Sequence, residues 1–297
     1  MTEEYFMKKI ISLILCAVLV VGVFALAGCS KDENANDPAA NTPATKVINI
    51  NLTEEDYAFG VDKDQPELLT KANEFIAQIM KDGTFDEICD RYFGDGTPVA
   101  VTSAKRDNSK DQLVVATNAA FAPFEYMEGD KYYGVDMEIA KLFADYLGQE
   151  LVIENMKFES VCLSVGQHQC DIAMAGLTIN EERKEHVTFT DSYYKASQQI
   201  IVKGDDTTFD NCKTVDDVNA ILNAYTKETV VGVQQGTTGM YFVQGDEGWG
   251  FPGLPTNCKP YEAGSLAVQD MINGNIDMVI IDAAPAAKIV ESINAVA

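Results

Sequence analysis

The spacing of apolar residues along the chain switches repeatedly between a period of two and a period near 3.6. Lys46–Leu52 interleaves Val, Ile, Ile and Leu with polar residues and predicts a strand, and Tyr57–Val61 is a second extended run. Leu68, Leu69, Ala72, Phe75, Ile76, Ile79 and Met80 then share one helical face behind Pro66, which suits a first helical position, and Gly83 stops the helix. Thr84 and Glu87 have the spacing of a capping box for a shorter helix through Ile88 and Tyr92, ended by Gly94. Asp95–Gln112 carries Gly, Pro, Ser, Asp and Lys and reads as a linker.

Beyond the linker, strand and helix patterns alternate. Leu113–Thr117 is a strand, Phe124–Tyr133 a hairpin around Glu128-Gly129-Asp130, and Ile139, Leu142, Phe143, Tyr146 and Leu147 mark a helix ended by Gly148. Strand Leu151–Asn155, a helix near Ser160–Val165 and the apolar run Ile172–Ala175 follow, then strand Gln199–Val202, read as a crossing between lobes. Helix Val215–Tyr225, strand Val230–Val233, strand Lys259–Glu262, helix Ser265–Asn273, strand Met278–Asp282 and a helix near Ala284–Ile293 complete the series. Repeated β-α units predict an α/β fold with mostly parallel, helix-covered sheets, which bind ligands at the carboxyl ends of their strands.

One stretch organises the rest, Asp171–Arg183. Gly176 ends the apolar run and lets a ligand approach the backbone, and Thr178 adds a hydroxyl. Asn180 is a good helix N-cap, followed by Glu181 and Glu182. Arg183 then sits in a first helical turn, where the dipole disfavours a cation, so a bidentate anionic partner such as a carboxylate is called for. A surface Arg paired with Glu181 or Glu182 is the competing reading.

Composition narrows the classes. The 297 residues are 46% hydrophobic and 23% charged, and 22 Lys and Arg against 46 Asp and Glu give a formal charge of −24. So acidic a chain argues against nucleic acid as a partner. Lys8 and Lys9 precede an apolar run from Ile10 to Gly28, and Leu26-Ala27-Gly28-Cys29 resembles a lipobox. We therefore expect a lipoprotein signal peptide over residues 1–28, lipidation of Cys29 and a flexible tether over residues 29–45; a transmembrane anchor is the alternative. Met1–Phe6 is acidic and sits awkwardly before a basic n-region, so Met7 is a second candidate start. Cys89, Cys162, Cys170, Cys212 and Cys258 would remain, an odd number, with Cys212–Cys258 the first pair to test and buried free thiols the alternative. His168 and His186 lie in polar, loop-like surroundings, and no metal site or cofactor is expected.

Four stretches in order carry a resemblance: Leu113–Tyr126 (LVVATNAAFAPFEY), Gly134–Ala140 (GVDMEIA), Ala175–Arg183 (AGLTINEER) and Phe189–Tyr194 (FTDSYY). Over roughly ninety residues the chain resembles the polar amino-acid-binding family of ABC-importer solute-binding proteins, close to the glutamine-binding type. That resemblance implies a two-lobed, periplasmic-binding-protein-like type II fold and a ligand cleft between lobes. It implies that Arg183 clamps an α-carboxylate with backbone N–H groups of Thr178 and Thr238, in the Gly236-Thr237-Thr238-Gly239 loop. Asp282, with the Gly176 carbonyl and the Thr178 hydroxyl, would take the ammonium; a helix N-cap is the plain reading of Asp282. Phe121 and Phe158 would cover the ligand's carbon chain, although either alone would more often be core. Leu177 and Thr237 fall in the same binding segments. Asn118 and Gln234 match side-chain-reading positions, where the glutamine-binding type has charged groups; two neutral amides favour a neutral polar ligand.

The family's closing segment is similar to Lys46–Gly94, which here lies ahead of Leu113. The expectation is a circular permutation, with lobe 1 over residues 57–198 (linker 95–112 included) and lobe 2 over residues 46–56 and 199–297. A fusion remnant followed by a truncated protein is the rival. The function implied is a lipid-anchored, monomeric substrate-binding protein outside the cytoplasmic membrane, serving ABC permease subunits and not an enzyme. A cyclohexadienyl or arogenate dehydratase-like enzyme and a sensor subunit are the alternatives; the sequence matches no His, Cys or spare Glu to the cleft.

Overall fold

The computed structural model describes residues 43–296. The expected signal peptide, Cys29 and residues 30–42 of the tether lie outside the described residues. Along the chain the strands are β1 (Thr45–Ile48), β2 (Glu55–Tyr57), β3 (Gly60–Asp62), β4 (Gln112–Thr117), β5 (Ala120–Phe121), β6 (Glu125–Glu128), β7 (Lys131–Tyr133), β8 (Glu150–Asn155), β9 (Ile172–Ala173), β10 (Val187–Phe189), β11 (Tyr194–Ala196), β12 (Gln198–Lys203), β13 (Val230–Gln234), β14 (Asn257–Tyr261) and β15 (Met278–Asp282).

Two five-stranded sheets have the same architecture. The first runs β8-β4-β9-β3-β10 and the second β14-β13-β15-β12-β1. In each, the first three strands are parallel, the fourth is antiparallel to its neighbours, and the fifth returns to the first direction. The antiparallel strand is in each case one whose chain has just left the other sheet: β3 follows β1 and β2, and β12 follows β10 and β11. The two crossings pair with each other as an antiparallel ribbon, Tyr57 against Tyr194 and Glu55 against Ala196. The crossing is therefore Tyr194–Ala196, and the strand expected to cross, Gln199–Val202, lies inside the second sheet.

Burial explains the patterning. Phe75, Ile88, Val115, Ile139, Phe143 and Ile172 are packed into one core around the first sheet, and Ile200, Val202, Leu222, Val231, Val233 and Ile280 into another on the second. Each such side chain contributes about 1.5–3 kcal/mol on leaving water. Pro66–Asp82 and Thr84–Phe93 are helices, but the capping box does not form. Gly83, at φ +89, is at once the C-cap of one and the N-cap of the next, so Thr84 is already helical and its N–H is met by Asp82 at 3.0 Å. The segment joining Gly94 to β4 is fastened along the first half: Val101 exchanges backbone bonds of 2.8 and 2.9 Å with Tyr132, and Ala104 donates to Leu151 at 2.8 Å.

Two further expectations are settled here. Cys212 and Cys258 do not form a disulfide; all five cysteines in the described residues are free thiols, and burial pushes Cys258 up to about 11. His168 lies in a turn with polar surroundings, as expected, and its Nδ1 is 2.7 Å from the buried Asp62.

Candidate functional site

The carboxyl ends of the parallel strands converge: β4 runs into Asn118, β9 into Gly176, β13 ends at Gln234 and β15 at Asp282. Gly176 has φ +54, and a Cβ there would stand 3.1 Å from the Phe121 ring and 3.3 Å from Tyr57, so the strand end needs glycine on both counts.

Arg183 is 8% exposed. Its helix, Glu181–Lys184, is capped by Asn180, whose side chain accepts from the Arg183 N–H at 2.7 Å. The guanidinium does not pair with Glu181 or Glu182. It donates to the carbonyls of Thr178 at 2.8 Å and, across to the second half, of Gly236 at 3.2 Å. The Phe158 and Trp249 rings flank it at 5.1 and 5.3 Å. Among the described residues no carboxylate lies within 4.0 Å of this buried cation.

On the other side of Thr178 the charge is reversed. Asp282 and Glu55 are both buried. Asp282 stands at the N-cap of the helix Ala283–Asn294 but does not cap it; it accepts from the Tyr57 hydroxyl. Burial first, and then the neighbouring Glu55 carboxylate, pushes Asp282 up to about 7. Glu55 accepts from the hydroxyls of Thr178 and Thr53, each at 2.6 Å, and from the Gln198 amide at 3.0 Å. Thr238 donates its hydroxyl to that of Thr178 at 3.2 Å, joining the two halves.

Gln234 and Asn118 also meet across the halves: the Gln234 amide donates to Asn118 at 3.2 Å, and Asn118 donates to the Met156 carbonyl at 2.7 Å. That leaves the buried Gln234 Oε1 with no partner. Thr237 donates its hydroxyl to the Gln234 carbonyl at 2.8 Å and so fixes the loop. A cavity of about 660 Å³ opens beside these amides, lined by Asn118, Phe158, Glu159, Gln235 and Tyr261 among others. The Leu177 side chain packs with Val161 and Ala175 in one core and the Phe121 ring stacks on Phe124 in another, while the Leu177 carbonyl accepts from Ala58.

Glu55 and Trp249 escaped the sequence reading. Glu55 stands beside Glu54 on a crossing strand, with no local pattern marking it; its partner Thr178 is 123 residues away. Trp249, the chain's one tryptophan, lies in the irregular stretch after the helix Thr238–Gln244. Metal-ligand chemistry gathers, among the described residues, at Asp62, Asp64 and His168, away from this site. The hydrogen bond and charge of Asp62 there raise the pKa of His168.

The chain belongs to the bacterial extracellular solute-binding proteins, family 3, whose model matches residues 8–95 and 113–240. It is 36% identical over 109 residues to an arginine-binding extracellular protein of Bacillus subtilis, covering 37% of this chain and 43% of that relative's length. An ancestral arginine-binding protein bound to arginine is similar at 30% identity with a TM-score of 0.52, over 62% of this chain and 75% of the other. An ancestral arginine-binding protein bound to glutamine is similar at 31% identity and a TM-score of 0.51, over 62% and 74%.

Proposed function

We propose that this chain is the substrate-binding protein of an amino-acid ABC importer. In this reading it is lipid-anchored at Cys29 on the outer face of the cytoplasmic membrane, acts as a monomer, closes its two halves on an amino acid and passes it to the permease. The observation that carries the reading is the layout of buried charge. Arg183 has two carbonyls but no carboxylate, whereas Asp282 and Glu55 have hydroxyls and an amide but no cation. Uncompensated buried charges of opposite sign on either side of one threonine are the complement of a zwitterion. Arg183 pairs with the α-carboxylate, aided by the Thr178 and Thr238 N–H groups. Asp282, the Gly176 carbonyl and the Thr178 hydroxyl take the ammonium, and Phe121 and Phe158 cover the carbon chain.

The free acceptor on Gln234 selects a side chain that donates an N–H. A glutamine-like amide meets it, and so does a guanidinium, for which Glu159 at the cavity wall is a ready counter-charge. The names of the similar proteins, arginine- and glutamine-bound, support this class.

We also infer that the chain is circularly permuted. Its halves are residues 57–198, including the join at 95–112, and residues 46–56 with 199–297. Support comes from β1, which holds in its sheet the place that β10 holds in the other, although β10 follows β9 directly and β1 is separated from β15 by the whole chain.

Calorimetric titration of the soluble Lys31–Ala297 chain against the common amino acids tests the function. Saturable binding of a polar amino acid, lost in Arg183→Ala, is the expected result. A folded protein that binds none of them, or an Arg183→Ala variant that binds as well as wild type, would overturn the reading.

A further inference from the structure

Every group that touches Glu55 brings a donor. The Thr178 and Thr53 hydroxyls and the Gln198 amide point at its two oxygens. Thr53 is itself held as a donor toward Glu55, because its oxygen receives the Gln198 backbone N–H at 2.9 Å. A hydroxyl has one proton. Once the Thr178 proton is given to Glu55, that oxygen has only lone pairs left to offer, and Thr238 already approaches it as a donor at 3.2 Å.

We propose that Glu55 is a positioning residue for the ligand's ammonium group, holding the Thr178 hydroxyl in the acceptor orientation while linking it to the second half of the molecule. The proposal rests on the amino-acid-binding reading and deepens it at one subsite. Thr178 follows β9 of the first sheet, Gln198 opens β12 of the second, and Glu55 on the crossing strand β2 bonds to both. The orientation that suits an ammonium is thus completed where the two halves meet. A neutral ligand head gains nothing from it, so Glu55 discriminates amines from their isosteres without contacting the ligand.

Replacing Glu55 by Gln keeps the shape and breaks the polarity. If the new amide oxygen faces Thr178, its NH2 faces the Thr53 and Gln198 donors; if it turns over, an N–H meets Thr178 and sends the hydroxyl proton into the cleft.

The test compares two ligand pairs that differ only in the amine: L-glutamine with glutaramic acid, and L-arginine with 5-guanidinopentanoic acid. Affinities are measured by calorimetry for wild type, Glu55→Gln and Glu55→Asp. For whichever amino acid wild type binds, Glu55→Gln is expected to weaken the amino acid roughly tenfold or more while moving its des-amino partner by less than about twofold. Glu55→Asp, which keeps the charge on a shorter stem, should restore part of the ratio, and it carries the comparison if the Gln variant does not fold. Equal weakening of both members of a pair would reduce Glu55 to a structural role and overturn the proposal. If wild type binds a different amino acid, that amino acid and its des-amino analogue form the pair; wild type that binds none of the common amino acids would overturn the binding reading itself, together with everything built on it.

Discussion

Thr45 and Asn294 are 249 residues apart in sequence and bond to each other three times: the Thr45 N–H and hydroxyl donate to Asn294 Oδ1 at 3.1 and 3.5 Å, and Asn294 Nδ2 donates to the Thr45 carbonyl at 2.9 Å. One asparagine at the end of the helix Ala283–Asn294 thereby caps the first residue of β1 as a neighbouring backbone would. In the other sheet the corresponding place is filled by continuous chain, from β9 to β10. Moving residues 43–94 to follow residue 296 through a short Gly-Ser link, with the new chain starting at Asp95 so that Val101 and Ala104 keep their places, should therefore give a folded protein. The change in loop lengths is expected to alter stability by about 1 kcal/mol, with ligand affinity preserved. Thermal unfolding and calorimetry check this, and a rearranged chain that does not fold would refute the permuted origin. Asn294→Ala in the present chain should cost about 1–2 kcal/mol.

The single tryptophan makes closure visible. Trp249, after the helix of the second half, donates its indole N–H to Glu182 of the first at 3.3 Å, stacks on Tyr241 at 4.7 Å and covers Arg183. Saturating ligand should shift the Trp249 emission and protect it from acrylamide quenching. Trp249→Ala should weaken binding roughly twofold to thirtyfold, the worth of about 0.5–2 kcal/mol for a cation-π contact. Emission that ignores a ligand known to bind would mean that this loop does not follow the closure.

Side-chain selection should reside in the unpartnered Gln234 oxygen. Gln234→Leu should lower affinity for an N–H-bearing amino acid such as glutamine or arginine by about 1–3 kcal/mol, since the donor is then buried without an acceptor. Alanine, with no such group, should be affected far less. The ratio of the two dissociation constants is the readout, and an unchanged ratio would place the specificity elsewhere.

Much of this was legible in the residues, and the gaps have physical causes. The hairpin turning at Gly129, the cap by Asn180 and the strand ends at Gly176 and Asp282 are local, so spacing and residue type reveal them. The Thr84–Glu87 box failed because it ignored what Gly83 does to its neighbour, while a true box, Thr214 with Asp217, uses an aspartate and escaped notice. Glu55 and Trp249 are different in kind. Their roles come from the crossing ribbon and from contact between halves: Thr178 is 123 residues from Glu55 and Glu182 is 67 residues from Trp249, beyond any local window. For the same reason Arg183 could be singled out from its awkward place in a helix, whereas its isolation from Glu181 and Glu182 could not.

The buried acids should leave a pH signature. Burial pushes Asp136 and Asp282 from an ordinary 3.8 to about 7, and burial with the nearby Asp136 and Asp282 raises Glu125, whose two oxygens have no partner, well above its ordinary value. Below about pH 7 the fold keeps Asp136 and Asp282 largely neutral, and the negative charge of Asp282 develops above it. Between the unfolded and folded pKa values the unfolded chain releases a proton that the folded chain retains, so the contribution of these three groups to stability is fully present below about pH 4, is lost from Asp136 and Asp282 as pH rises to about 7, and keeps falling on account of Glu125 until Glu125 itself titrates in the folded state. Glu125→Gln should remove the last part of that decline, leaving the ligand-free protein more stable than wild type at pH 8. Ligand acts on Asp282 alone: an ammonium beside it favours the carboxylate, releases a proton and offsets the burial. Affinity should accordingly weaken by up to roughly tenfold for each pH unit below 7. Titrations at pH 6 in buffers of different ionisation heat should report release of up to about one proton, in proportion to the fraction of Asp282 that starts protonated. A dissociation constant that stays flat from pH 5 to 8 would show that the ammonium sits elsewhere, and with it the assignment of Asp282 would fall.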